Sequence, residues 1–209
     1  MNFKRIRNII LLLIVIQLLR ICFKFIIFEF VNRSIFVDTL VSIVFMVIMT
    51  IAILVFAVKK DIKLNIFPEK FNKIYLIASI VVFGIFALTP LITQNYEISS
   101  IVSLIYGAFI TVIFEEILFR GLVYEEISNN KTYKFLLSTL MFGFWHLGYI
   151  DTIIFRTSLF NPTADIFNIM VWKVITGLIL GLIFGFLKYK TDNTYSSMLA
   201  HMLVNAIGS

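Results

Sequence analysis

Long apolar runs alternate with short polar clusters along nearly the whole chain, and the length of those runs predicts the architecture. A helix of about 20 residues spans a bilayer, and apolar runs at about 9–30, 35–58, 74–93, 98–128, 133–150, 166–187 and 194–207 predict seven helices. Repeated runs of this length indicate a helical bundle; a membrane barrel would show short alternating segments instead. Pro68 breaks the charged stretch after the second run, and Pro90 is expected to kink or end the third near Leu88. The stretch 151–165 reads as a loop with an interfacial apolar part. Gly177, Gly181 and Gly185, spaced by four, give the sixth run a small-residue face that a neighbouring helix can approach closely.

Composition turns this pattern into a class. Of 209 residues, 60% are hydrophobic and 14% charged, with a mean hydropathy of +1.00, which no soluble core of this size requires. The sequence therefore describes an all-α, polytopic integral membrane protein, a transmembrane helical bundle read as one domain over 1–209. Its first apolar run continues past the length of a signal-peptide core and no small-residue cleavage site follows, so it is read as a retained helix. The single Cys22 excludes a disulfide framework and a cysteine-based metal site. The net charge of +6 reports orientation and not a nucleic-acid partner. Lys4, Arg5 and Arg7, then Lys59, Lys60, Lys63, Lys70 and Lys73, then Arg120, Lys131 and Lys134, then Lys188 and Lys190 all fall on one side of a seven-helix path. The opposite loops contribute Arg33 and Arg156. Basic residues accumulate on the cytoplasmic side, so the expected topology is N-in, C-out.

Within the fourth run stands the costliest feature of the chain, Glu115-Glu116 followed by Arg120. A charge at the centre of a spanning helix costs roughly 2.5–3.5 kcal/mol on insertion scales, so these groups need partners, protons or water. Glu116 and Arg120 are i and i+4, stacked on one helix face, and read as a supporting ion pair. That leaves Glu115 without a local countercharge. Glu115 lies 15 residues before the turn at Asn130 and His146 lies 16 after it, so both sit on the order of 22–24 Å from that turn. His201, 11 residues beyond Lys190 and so on the order of 16 Å up its helix, reaches the same level if the hairpin around Asn130 projects modestly into the cytoplasm, and Asn205 follows one helical turn later. The chain's two histidines thus lie inside helices near the carboxylates.

Two chemistries fit this set. In one, Glu115 and His146 hold and deprotonate a water, while His201 and Asn205 donate to the oxyanion formed on an amide carbonyl. In the other, Glu115, His146 and His201 bind Zn²⁺, which acidifies the water directly. A Ser197–His201 nucleophile is weaker, because no third group or G-x-S-x-G context accompanies it. The remaining charges have structural readings. Arg20, Lys24 and Lys173 can snorkel to an interface, Glu125 and Glu126 read as a solvated surface, and Asp38 and Asp151 as interfacial charges.

Three motifs in order carry a resemblance: Glu115-Glu116-Ile117-Leu118-Phe119-Arg120 with Gly121 and Tyr124, within 114–124; Phe142-Gly143-Phe144-Trp145-His146; and His201-Met202-Leu203-Val204-Asn205. They resemble the CAAX-protease and bacteriocin-processing family of intramembrane proteases, which includes CAAX prenyl endopeptidases, lysostaphin-resistance-protein-A-like proteins and bacteriocin self-immunity proteins. That resemblance places a catalytic core at 98–209, with less specific helices at 9–93. It implies endopeptidase activity through Glu115, His146, His201 and Asn205 on a membrane-associated peptide or protein, with either a Zn²⁺ ion or a Glu-activated water. A compact chain rich in Lys, Ile and Phe suggests a bacterial plasma membrane. The alternatives from other classes are a non-catalytic bacteriocin immunity or interaction protein and an ion-coupled transporter that uses the same carboxylates.

Overall fold

The computed structural model describes residues 3–208, and every regular element among them is helical. They form α1 (Phe3–Phe28), α2 (Ile35–Lys59), α3 (Lys73–Thr93), α4 (Ile98–Ile127), α5 (Lys131–Trp145), α6 (Ile150–Phe160), α7 (Ile166–Thr191) and α8 (Thr194–Ile207). All seven expected helices are present. Five of them, α1, α2, α3, α4 and α7, are long and apolar enough to cross a membrane. Starts are marked by side chains that accept otherwise unpaired backbone N–H groups: Ser34, Asn72, Asn130, Asp165 and Asn193. Apolar side chains such as Phe25, Ile77, Ile80, Trp172 and Phe186 cover the outside, the inverse of a soluble surface. This is an integral membrane bundle.

One local expectation needs correction, and two stretches gain detail. The stretch after the fifth run is not a loop, because Ile150–Phe160 forms α6. Its backbone saturates its own hydrogen bonds, as a segment beside apolar surface must. Pro90 lies inside α3, which reaches Thr93 as its apolar run predicts and is closed by Gln94 in a left-handed conformation (φ 53°). The charged loop 60–72 is anchored to the bundle. Leu64 is buried, and the carbonyls of Asn65 and Ile66 accept the amides of Thr194 and Tyr195 at 2.8 Å, which pins the loop to the start of α8.

Contacts between the turns sort the charges into two ends. Arg5 donates to Asn129, Asn65 to Glu125, and Lys131 pairs with Asp192 at 2.8 Å, so the four basic clusters gather at one end of the bundle. At the opposite end lie Arg33, Asp38 and Asp151. The core sits between α4 and its neighbours, with Val112, Leu118, Phe119 and Val123 of α4 fully buried. Gly177, Gly181 and Gly185 bring α7 against α5: a Cβ at Gly181 would stand 3.1 Å from Phe142, and one at Gly185 would stand 2.9 Å from Thr139. The four-residue glycine spacing thus sets a close helix pair.

Candidate active site

α4 departs from regular helix on both sides of the carboxylates. Tyr106–Ile110 and Ile117–Val123 are π-helical and flank the α-helical Thr111–Glu116. Such widened turns recur at functional sites, and each rotates the faces that follow it. Glu115, Glu116 and Arg120 are all buried.

Glu116 and Arg120 form the expected i, i+4 pair, Arg120 Nη1 lying 3.4 Å from Glu116 Oε1. The pair is extended from both sides. Arg120 Nη2 donates to the Gly181 carbonyl at 3.2 Å and its guanidinium lies 4.2 Å from the Phe142 ring centroid. Glu116 Oε1 is also 2.9 Å from His201 Nδ1, and the His201 ring stacks on Phe184 with centroids 4.4 Å apart. Glu116 is therefore more than a helix staple, because it orients one of the two histidines.

Glu115 is held differently. The Tyr149 hydroxyl donates to Glu115 Oε1 at 2.8 Å and itself accepts from Trp145 Nε1 at 3.0 Å. Tyr149 escaped the sequence reading, although its position three residues after His146 placed it on the same side of the chain. His146 begins the tight 3₁₀ turn His146–Tyr149 that links α5 to α6. Its Nδ1 lies 2.9 Å from the Phe142 carbonyl, which can only accept, so that nitrogen carries a proton. Gly177 makes room for the ring, since a Cβ there would stand 2.7 Å from His146 Nδ1. Asn205 Nδ2 donates to the Gly107 carbonyl at 2.8 Å, tying α8 to the first π turn of α4.

These side chains share one cavity of about 610 Å³, lined by Glu115, His146, His201 and Asn205 together with Tyr149, Arg156 and Lys173. All four residues selected from the sequence thus meet at one cavity wall. Ser197 does not line it and donates to the Thr194 carbonyl at 2.8 Å, so the Ser–His alternative lacks its geometry. Among the described residues no three of His, Cys, Asp and Glu come together closely enough to hold one metal ion. Glu115, His146 and His201, the set that would hold Zn²⁺, all line the cavity but do not form such a group.

The turn that bears His146 is braced from outside the motif region. Gln17 of α1 donates to the Trp145 carbonyl at 3.2 Å, and Arg20 donates to the Gly148 carbonyl and pairs with Asp151. Lys24 and Arg33 both pair with Asp38 and stand within 3.9 Å of Asp151. Arg20 and Lys24 do not snorkel, and Asp38, 1% exposed, is no interfacial charge. Burial demands a partner for each, and the partners come from three helices. Glu125, expected on a solvated surface, pairs with Lys134 and with the fully buried Lys188.

In this membrane bundle the central helix bears paired carboxylates, Glu115 lining a cavity with His146 and His201 and Glu116 bonded to His201. The family described as type II CAAX prenyl endopeptidase Rce1-like matches residues 97–207, just over half of the chain, and the match contains every residue of the site. The chain belongs to this family, and is thereby a CAAX-type intramembrane peptidase. No curated protein and no solved structure matches it significantly.

Proposed function

We propose that the protein is an endopeptidase of a bacterial plasma membrane that hydrolyses a peptide bond in a membrane-associated peptide, with Glu115 as general base. The observation that carries this reading is the convergence of Glu115, His146, His201 and Asn205 on one cavity. Tyr149 occupies Glu115 Oε1, which leaves Oε2 to take a proton from water. His146, with its Nδ1 proton committed to Phe142, presents Nε2 as acceptor and holds the same water. The water oxygen attacks the carbonyl carbon and its proton passes to Glu115. The carbonyl oxygen becomes an oxyanion that accepts from His201 and Asn205. Glu116 supplies His201 with a countercharge when the imidazole is protonated. Collapse of the tetrahedral intermediate breaks the C–N bond, and Glu115 returns its proton to the leaving amine. No step is routed through a metal.

Purified protein in lipid nanodiscs, offered a library of apolar fluorogenic peptides, tests this reading. Glu115→Gln keeps the shape and should lower cleavage by about 10²–10⁴-fold, the usual range for a general base. Activity should survive verified metal removal. A folded Glu115→Gln protein with full cleavage would sink the assignment of the base. Loss of activity on chelation, restored by Zn²⁺, would replace the metal-free mechanism.

A further inference from the structure

Two cations in the cavity have no part in this chemistry. Arg156 of α6 and Lys173 of α7 both line it, yet neither makes a hydrogen bond or ion pair with any described residue, and Arg156 Nε is buried without a partner. Both share the cavity with Glu115. The one carboxylate on α6, Asp151, is already taken by Arg20, with Lys24 and Arg33 nearby. Two neighbouring like charges in a partly desolvated cavity are costly, and an anionic ligand offsets that cost. Their place along the cavity is also informative. Lys173 precedes Gly177, the residue packed on His146, by four residues of helix, or about 6 Å. That distance corresponds to roughly two residues of extended peptide at about 3.3 Å each. The same wall carries the apolar and aromatic side chains of Trp172, Ile169 and Tyr106.

We propose that Arg156 and Lys173 form an anion subsite that binds a carboxylate of the peptide substrate within a few residues of the scissile bond. This rests on the endopeptidase reading above, but its test has a readout of its own. Three fluorescent apolar peptides are compared in neutral-lipid nanodiscs: one with a free C-terminal carboxylate, one with a C-terminal amide, and one amidated but carrying an Asp side chain. Binding is measured by anisotropy for the wild type, Arg156→Gln, Lys173→Gln and the double variant, and cleavage is measured alongside.

At least one carboxylate peptide should bind the wild type about tenfold or more tightly than the amide, the scale of a charge-assisted hydrogen bond. Whichever of the two wins identifies the source of the carboxylate. The double variant should bind acid and amide equally. Equal binding of all three peptides by the wild type would overturn the subsite, as would a carboxylate preference that survives both substitutions. A preference that vanishes in phosphatidylglycerol nanodiscs would reassign the pair to lipid headgroups. Selective binding without cleavage would retain the subsite and remove the peptidase reading, whereas cleavage without selectivity would do the reverse.

Discussion

Two buried ionic clusters, built on different principles, stand on either side of the site. The first joins Glu116, Arg120 and His201 within the family-matched segment, and its central pair is four residues apart on one helix. The second joins Arg20 and Lys24 of α1, Arg33 and Asp38 at the start of α2, and Asp151 of α6. Most of it lies before residue 97, outside the matched segment, and its Arg20–Asp151 pair spans 131 positions. The first cluster orients a histidine by direct contact. The second acts at one remove, since Arg20 and Gln17 hold the carbonyls of the turn from which His146 and Tyr149 project. The constellation therefore belongs to the matched half, while part of its alignment is supplied by the unmatched half.

The contrast is expected to be strongest at Glu116. Glu116→Gln strands Arg120 without its countercharge and should cost about 3–5 kcal/mol, the range for a broken buried pair, with cleavage lost alongside folded yield. Replacing both Glu116 and Arg120 by Met removes the uncompensated charge and should restore much of the yield in a detergent-stability assay. It should not restore cleavage, because His201 has lost its partner. Recovery of both would reduce the first cluster to a staple.

A smaller effect is expected from the second cluster. Arg20→Met leaves the Gly148 carbonyl without its donor while Lys24 and Arg33 remain near Asp151, so a loss of about 1–3 kcal/mol is expected. Turnover should fall more than peptide affinity, because the substitution disturbs the turn that carries His146 and not the cavity wall that binds substrate. Unchanged kcat in a folded Arg20→Met protein would confine this cluster to stability. The smallest effect belongs to Lys131–Asp192, a charge pair of the basic end whose side chains are 44% and 69% exposed. Lys131→Ala should change stability by no more than about 0–1 kcal/mol and leave cleavage intact. A large loss there would show that exposed end contacts also set the site.

The features legible in the amino-acid sequence by itself are local ones. Run length predicts the membrane helices, the sidedness of Lys and Arg predicts which turns meet, and the four-residue spacing predicts the Glu116–Arg120 pair and the glycine face of α7. The four site residues are legible because an ionisable group inside an apolar run is conspicuous. Tertiary packing decides the partners: Tyr149 on Glu115, Glu116 on His201, Arg20 on Asp151, and Arg156 and Lys173 turned toward one cavity. It also decides that 150–160 is helix and that α4 widens into π turns around its carboxylates. The physical reason is that a rise of about 1.5 Å per residue fixes contacts within a helix. A hydrogen bond between helices 34 to 131 positions apart depends on the rotation and depth of each helix, which close packing sets.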